Sequence, residues 1–280
     1  MLFQRAGVFL LWAIVAGGIL TTAGTGRPMP GVLPDDGDTL SVQEDARKHI
    51  NFKEIRERFT FDVRYGLLNL GRVYVYIQSD TLYNETPAIH VVTEMVANRR
   101  LPLMSNRVVH YHSLLAFEDS IPYGLKFWQN SLHRNLEERY VYEFDYEAGH
   151  VLSLEEGALL DTLELHEKAD AGPAIFYYAR LFAGTDQETR YPVYIDNQAS
   201  EVFMTFSSET ESYDSPAFPG EEIMAYTMDG FADFDGPFGF SGDFQAVFKS
   251  DEFRIPLEAR VRIFLGSVRV RLIEYERLTE

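Results

Sequence analysis

The chain contains no cysteine. That excludes disulfides, thiolate metal centres, cysteine nucleophiles and the lipidated cysteine of a bacterial lipoprotein. Positive charge is scarce as well. There are 25 Lys and Arg against 43 Asp and Glu, giving a formal net charge of -18 and a pI near 4.8. Such a chain repels phosphate backbones, so nucleic acid is not an expected partner. It has no G-x-x-x-x-G-K-[ST], no G-x-G-x-x-G after a strand, no H-E-x-x-H and no internal repeat. No cofactor is implied.

What is present begins with an address. Arg5 is the only charged residue before Arg27, and Ala6 to Leu20 is an apolar or small run that ends in Thr21, Thr22, Ala23 and Gly24. A positive start, a short apolar stretch and small residues at the exit are the parts of a secretory signal. The run falls short of the roughly 20 residues of a comfortable transmembrane helix. The sequence therefore predicts a signal peptide over residues 1–24 and export to the periplasm or cell envelope. An uncleaved N-terminal anchor is the competing reading. Residues 25–57 read as a leader: 25–40 are rich in Pro, Gly and Asp, and Ser41-Val42-Gln43-Glu44 has the form of a capping box for a short helix to about Ile50.

From Arg58 the hydrophobic period becomes two. Phe59, Phe61, Val63 and Tyr65 alternate with polar residues, a turn is expected at Leu68–Gly71, and Val73, Val75 and Ile77 follow on one side. Further strands are expected over Ala88–Ala97, Val108–Ala116, Tyr140–Tyr146, Tyr191–Ile195, Glu201–Ser207, Phe244–Lys249, Leu257–Leu265 and Val268–Tyr275. Asp170, Pro173 and Gly184 bracket a helix whose Ile175, Tyr178 and Phe182 share a face. Leu154–Lys168 is a second helix candidate. The expected fold is mainly β, one antiparallel curved sheet (a half-barrel or open barrel) over residues 58–280 with one or two short helices.

Phe61-x-Val63-x-Tyr65 with Leu70-Gly71, the Tyr177-Tyr178-Ala179-Arg180 helix after Asp170, and Phe240-x-Gly242 followed by Lys249-Ser250-Asp251-Glu252-x-Arg254-Ile255-Pro256 and Gly266 resemble motifs of the exported bacterial domain-of-unknown-function 3108 family. The resemblance runs over about residues 58–276 by order of elements and departs between Glu201 and Asp235, where the spacing is longer and more acidic. It implies an exported half-barrel-like protein. It carries no activity and no functional residues.

Chemistry is harder to find. Gly239-Phe240-Ser241-Gly242 suggests a nucleophile elbow, but Asp243 stands where the motif needs glycine, so Ser241 reads as part of a turn. His110 and His112 lie two apart on a strand and face the same way, without a third ligand marked by spacing. Asp229, Asp233 and Asp235 resemble part of a calcium loop, yet alignment on Asp235-Gly236 puts Phe231 and Gly242 at ligating positions. No catalytic or metal residue is assigned.

Phe231, Phe234, Phe238, Phe240, Phe244, Phe248 and Phe253 crowd one glycine-rich stretch, which suits either core packing or an apolar ligand cavity. In the closing hairpin, Gly266-Ser267 fits a two-residue turn. Pairing Leu265 with Val268 would set Arg262 opposite Arg271. Arg260, Arg262, Arg269 and Arg271 would then form a local positive face that is a candidate binding patch. The sequence points to a binding protein for an apolar ligand or an envelope partner. A structural or assembly accessory is the alternative, and a hydrolase with an unrecognised site the remote one. Membrane association would come only through an uncleaved signal or peripheral contact.

Overall fold

The period-two alternation from Arg58 onward does what it demands: it lays down strands with one buried face. In a computed structural model, residues 50–100, 108–131, 136–234, 242–263 and 266–278 are described. The signal-peptide segment, the Pro-rich leader up to residue 49 and its capping box lie outside them. The elements are β1 (Arg56–Tyr65), β2 (Leu68–Tyr83), β3 (Thr86–Ala97), β4 (Val108–Glu118), β5 (Ile121–Ser131), β6 (Leu136–Asp145), β7 (His150–Glu155), β8 (Ala158–Glu164), helix α1 (Ala174–Phe182), β9 (Glu188–Ile195), β10 (Gln198–Tyr213), β11 (Ile223–Ala232), β12 (Asp243–Lys249), β13 (Pro256–Ile263) and β14 (Gly266–Leu278).

All strands join one antiparallel sheet in the order β8-β7-β6-β5-β4-β3-β2-β1-β14-β13-β12-β11-β10-β9. Two meanders, β1–β8 and β9–β14, are thus welded by the pairing of the first strand with the last. The sheet does not close into a barrel. Its two edges are linked by the segment that carries α1, and they approach each other there. Asp170 makes a parallel bridge to Val193 of β9, and the Tyr194 hydroxyl donates to the Glu164 carbonyl at the end of β8. The sheet bends round far enough for the turn between β9 and β10 to reach β6 and β7. There the Ser153 hydroxyl donates to Asn197 Oδ1 at 2.5 Å and the Tyr142 hydroxyl does so at 3.4 Å.

The concave face is the core. Phe59, Phe61 and Val63 pair with Val75, Val73 and Gly71 on one side and with Tyr275, Leu272 and Val270 on the other. Phe61, Val63, Val73 and Val75 are all buried on one face, as the alternation requires. Each such side chain contributes about 1.5–3 kcal/mol on leaving water. The core also extends ahead of Arg58, because Ile50, Phe52, Ile55 and Glu57 are buried. Helix α1 fills the hollow: of its nine residues only Ile175 is part exposed. A helix apolar nearly all round has no face to offer water, so it is enclosed.

Three sequence expectations fail. Leu154–Lys168 is not a helix: Leu154 and Glu155 end β7, and residues 158–164 form β8. Glu156 and Gly157 between them hold φ of +51° and +81°, the left-handed pair that closes a two-residue hairpin. The first hairpin turns at Gly66-Leu67, with Tyr65 paired to Leu68, so Leu68–Gly71 belongs to β2. In the last hairpin Val261 pairs with Val268 and Ile263 with Gly266. Gly266-Ser267 is therefore strand, and Arg262 lies opposite Ser267. This register keeps Val261, Val268 and Val270 inside but sets Glu258 opposite Arg271 and Arg260 opposite Arg269, exchanging one like-charge pair for another while giving Arg271 an opposite charge. Strands β5, β7, β8 and β11 were not expected at all.

Candidate functional site

Helix α1 is fixed at both ends by charge. At its start, Asp170 Oδ2 accepts from the backbone N–H of Gly172 at 2.8 Å and of Ala174 at 2.9 Å, occupying donors that a helix N-terminus leaves open. Burial pushes this carboxyl up to about 6, against the backbone N–H groups that favour its charged form. Near its end, the fully buried Arg180 makes a two-pronged ion pair with the fully buried Glu57 of β1, with Nη2 to Oε2 at 3.2 Å. Its Nε and Nη2 also donate to the Phe253 carbonyl at 3.0 and 2.9 Å. Burial alone would lower the guanidinium's pKa, but the Glu57 carboxylate outweighs it and holds the group above its usual value. The rings of Phe52 and Phe59 stand 4.9 and 5.6 Å from the guanidinium carbon. The Tyr-x-x-Arg helix and its preceding acid thus lock the helix inside the sheet.

One flank of the locked helix leaves a gap against the sheet. Between α1 and the concave face of β10–β13 lies a recess of about 570 Å³, its mouth included. Ile175, Phe176 and Ala179 form the helix side; Met204, Met228, Phe244 and Ala246 form much of the sheet side. Every lining residue is apolar. Phe244 is seated by Gly230, its cross-strand partner: a Cβ at that glycine would stand 2.2 Å from the ring. Of the aromatic stretch picked out in the sequence, Phe244 and Phe248 line the recess. Phe231 faces outward and Phe253 packs under Arg277 at 3.9 Å. Phe234 packs against the core, and Phe238 and Phe240 lie outside the described residues. Ala246 lies between Phe244 and Phe248 on β12; the methionines and the other alanines that complete the recess come from other elements, and nothing in their spacing marks them.

A second recess of about 440 Å³ lies at the seam beside Tyr142, Ser153 and Asn197. The Asn197 side chain there is held by hydrogen bonds that join the two ends of the sheet, so this recess belongs to the fold's closure.

The four arginines share the outer face of β13 and β14. Arg260 Nε donates to Glu258 Oε1 at 2.7 Å, and Arg262 Nη1 reaches Asp243 Oδ2 at 3.1 Å. Arg271 lies 3.5 Å from Asp214 Oδ2 and 3.7 Å from Glu258 Oε2. Arg269 stands opposite Arg260 on one side and Arg64 of β1 on the other.

His110 and His112 do share the outer face of β4, with His90 of β3 and Trp128 of β5. His112 Nδ1 is 3.0 Å from His90 Nε2, and its ring stacks on Trp128 at 4.8 Å. Burial, then the neighbouring His90 and His110, pull the His112 imidazole down to about 4. Among the described residues no group of three or more His, Asp or Glu stands close enough to hold a metal ion. Asp229 accepts from Gln245 at 2.7 Å; Asp235 and Ser241 lie outside the described residues.

No protein-family model and no curated protein matches the chain. Solved structures similar to it include two of low identity. One is a β-barrel-like protein of domain of unknown function DUF1849 from Brucella abortus, at 13% identity and a TM-score of 0.49, covering 80% of this chain and 98% of that one. The other is a putative exported protein with a YmcC-like fold from Bacteroides fragilis, at 9% identity and a TM-score of 0.35, covering 79% of this chain and 95% of that one.

What the recess can do follows from its walls. With no polar side chain on them, it can exclude water from a hydrocarbon group but cannot orient a reacting bond. It has the chemistry of a holder.

Proposed function

We propose that this chain is an exported envelope protein that binds an apolar ligand between helix α1 and the concave face of β10–β13. The observation that carries this reading is the wholly apolar lining of the recess, whose roughly 570 Å³ includes its open mouth, in a core where the same helix is otherwise packed tightly. Cavities lined this way favour hydrocarbon groups over water. Export is supported by the signal-like segment at residues 1–24, and membership of the 3108 family by its motifs. Two of its residues, Asp170 and Arg180, are the buried charges that fix the helix.

Native mass spectrometry of protein purified from the envelope tests both halves. The expected spectrum starts near Gly24 or Thr25 and carries lipid-sized adducts. Ala246→Leu, which fills the recess from β12, should remove the adducts without loss of stability. Adducts that survive Ala246→Leu would place the ligand elsewhere, and a mass that retains Met1 would favour an anchor.

An accessory role is the second reading. It is supported by β8, an open sheet edge exposed on both faces with Leu159 and Leu160 in solvent, which suits strand addition by a partner.

A further inference from the structure

We propose that the end of the sheet carrying the β1–β2 hairpin tip docks on an anionic lipid surface, with Leu67 entering it and a ring of arginines holding the head groups. Leu67 is 99% exposed and Leu68 beside it 47%, whereas Leu70 two residues further along β2 is buried. An isolated leucine at a hairpin tip is unremarkable by itself. Its surroundings set it apart. Arg64 lies three residues before the tip, Arg269 pairs with Arg64, and Arg260 pairs with Arg269, so three arginines run side by side across three strands on the outer face. Arg262 is one step nearer the rim, paired with Asp243. On the other side of the tip, Asn98 is tied to β2 by bonds to the Leu70 and Asn69 carbonyls at 2.8 Å, which leaves Arg99 and Arg100 exposed next to it.

Like charges in adjacent strands are unfavourable, and in a chain of net charge -18 they could have been matched by surface carboxylates. Carboxylates are present, but beneath. The Asp62 side chain, 13% exposed, accepts from Arg64 Nε, and the Glu258 side chain, 3% exposed, accepts from Arg260 Nε. The arginines above them are 44% and 56% exposed. Each acid thus holds its guanidinium by Nε, on an arginine side chain that stays about half exposed. Arg99, Arg100 and Arg269 have no carboxylate partner among the described residues. Around the tip itself the outer charge is positive on a negative molecule, and guanidinium donors suit phosphate oxygens.

The dimensions suit a bilayer. At about 3.3 Å per residue, Arg64 and its row stand roughly 10 Å behind the tip. Interfacial anchors bury their apolar part about 5–10 Å into the head-group boundary, which brings that row to head-group level when Leu67 is inserted. A small free anion would need the guanidiniums but not the leucine; a membrane uses both. The inference does not depend on the recess holding a ligand.

The test is flotation of the full chain with vesicles of phosphatidylcholine alone and of phosphatidylcholine with phosphatidylglycerol in equal parts. The readout is the excess binding to the mixed vesicles, because an uncleaved apolar N-terminal segment would raise both equally. Wild type should show an excess that fades with salt. Arg64→Glu with Arg269→Glu should reduce it at least about tenfold, since each arginine near such a surface contributes roughly fivefold. Leu67→Ala should reduce binding to the mixed vesicles about fivefold. If the double variant fails to fold, Arg99→Glu with Arg100→Glu, beyond the end of β3, takes its place. Equal binding to both vesicle types, or no binding to either, overturns the proposal. So does full competition by inorganic phosphate, which would make this a small-anion site, or capture by polyglutamate beads but not vesicles, which would mark an acidic protein partner.

Discussion

The two sides of helix α1 are packed by different rules. Toward β1 the helix meets rings: Phe176 stands edge-on to Phe59 at 5.1 Å and to Phe61 at 6.3 Å, and Tyr177 meets Phe52 at 5.1 Å. Toward β11–β13 it meets Met228, Ala246, Pro256 and Ala259, and a gap remains. The same helix, in the same core, is therefore clamped on one side and left standing off on the other. Native interiors are close-packed, so small residues facing a void need a reason. The clamp supplies it. With Arg180 held by Glu57 and the Phe253 carbonyl, the helix cannot collapse into the space that Ala246 and Ala259 leave open.

The sharpest way to break that contrast is to release the clamp. Arg180→Met leaves the Glu57 carboxylate buried without its partner and should cost about 3–5 kcal/mol in urea denaturation. Adding Glu57→Leu should recover much of the loss, because two apolar residues tolerate burial where a lone charge does not. If the double variant is stable but no longer carries lipid adducts, the ion pair serves to hold the recess open. If it stays loaded, the helix keeps its station by packing alone.

Truncations on the two flanks should separate next. Phe59→Ala, on the clamped side, should cost about 3–5 kcal/mol. Met228→Ala borders empty space already, so it should fall at the low end for its type, about 2 kcal/mol. Equal losses in thermal or urea melts would mean that the two flanks are packed alike and that the recess is not a standing cavity.

How much of this could be read beforehand depends on whether a residue's role is local. The alternation of Phe59, Phe61 and Val63 against polar neighbours gives strand, face and burial together, because one-sided exposure is a local pattern. Strand β8 has no such pattern. It is exposed on both faces, so its Leu159-Leu160 and acidic flanks read as helix. Strand β5 is interrupted by Pro122 and Gly124 near its start. The closing hairpin shows the same limit: its inner face was legible, but the turn lay two residues from where glycine suggested, since a register that moves by an even step keeps the same residues inside. Long-range facts were invisible. Glu57 and Arg180 are 123 residues apart and meet only because α1 is threaded through the sheet. The recess draws on β10, β11, β12, β13 and α1, and only its Phe244 and Phe248 belonged to a cluster that the sequence displays.

The remaining contrast separates the halves by protonation. Asp170, His90 and His112 all lie on β3, β4 or the segment leading to α1, and none lies on β10–β14. Burial raises Asp170 to about 6 from roughly 4 in an unfolded chain. Its contribution is therefore fully present below about pH 4 and is lost as pH rises through 6, by roughly 2–3 kcal/mol. His112 runs the other way. Its folded pKa is about 4, against roughly 6.5 unfolded. What it contributes is present above 6.5 and lost as pH falls through 4, by a smaller amount because the ring is part exposed and screened. Burial lowers His90 too, with the same sign as His112. In the wild type the two slopes oppose each other between pH 4 and 6.5, so its own profile should look flatter than either. Differences from wild type expose them. Asp170→Asn keeps a carbonyl to accept from Gly172 and Ala174, and its stability relative to wild type should fall as pH drops from 6 to 4. His112→Gln should rise relative to wild type over the same interval. Denaturant melts of the three proteins across that range decide the matter: two variants drifting in the same direction would show that one of the buried groups does not titrate in the direction its surroundings require.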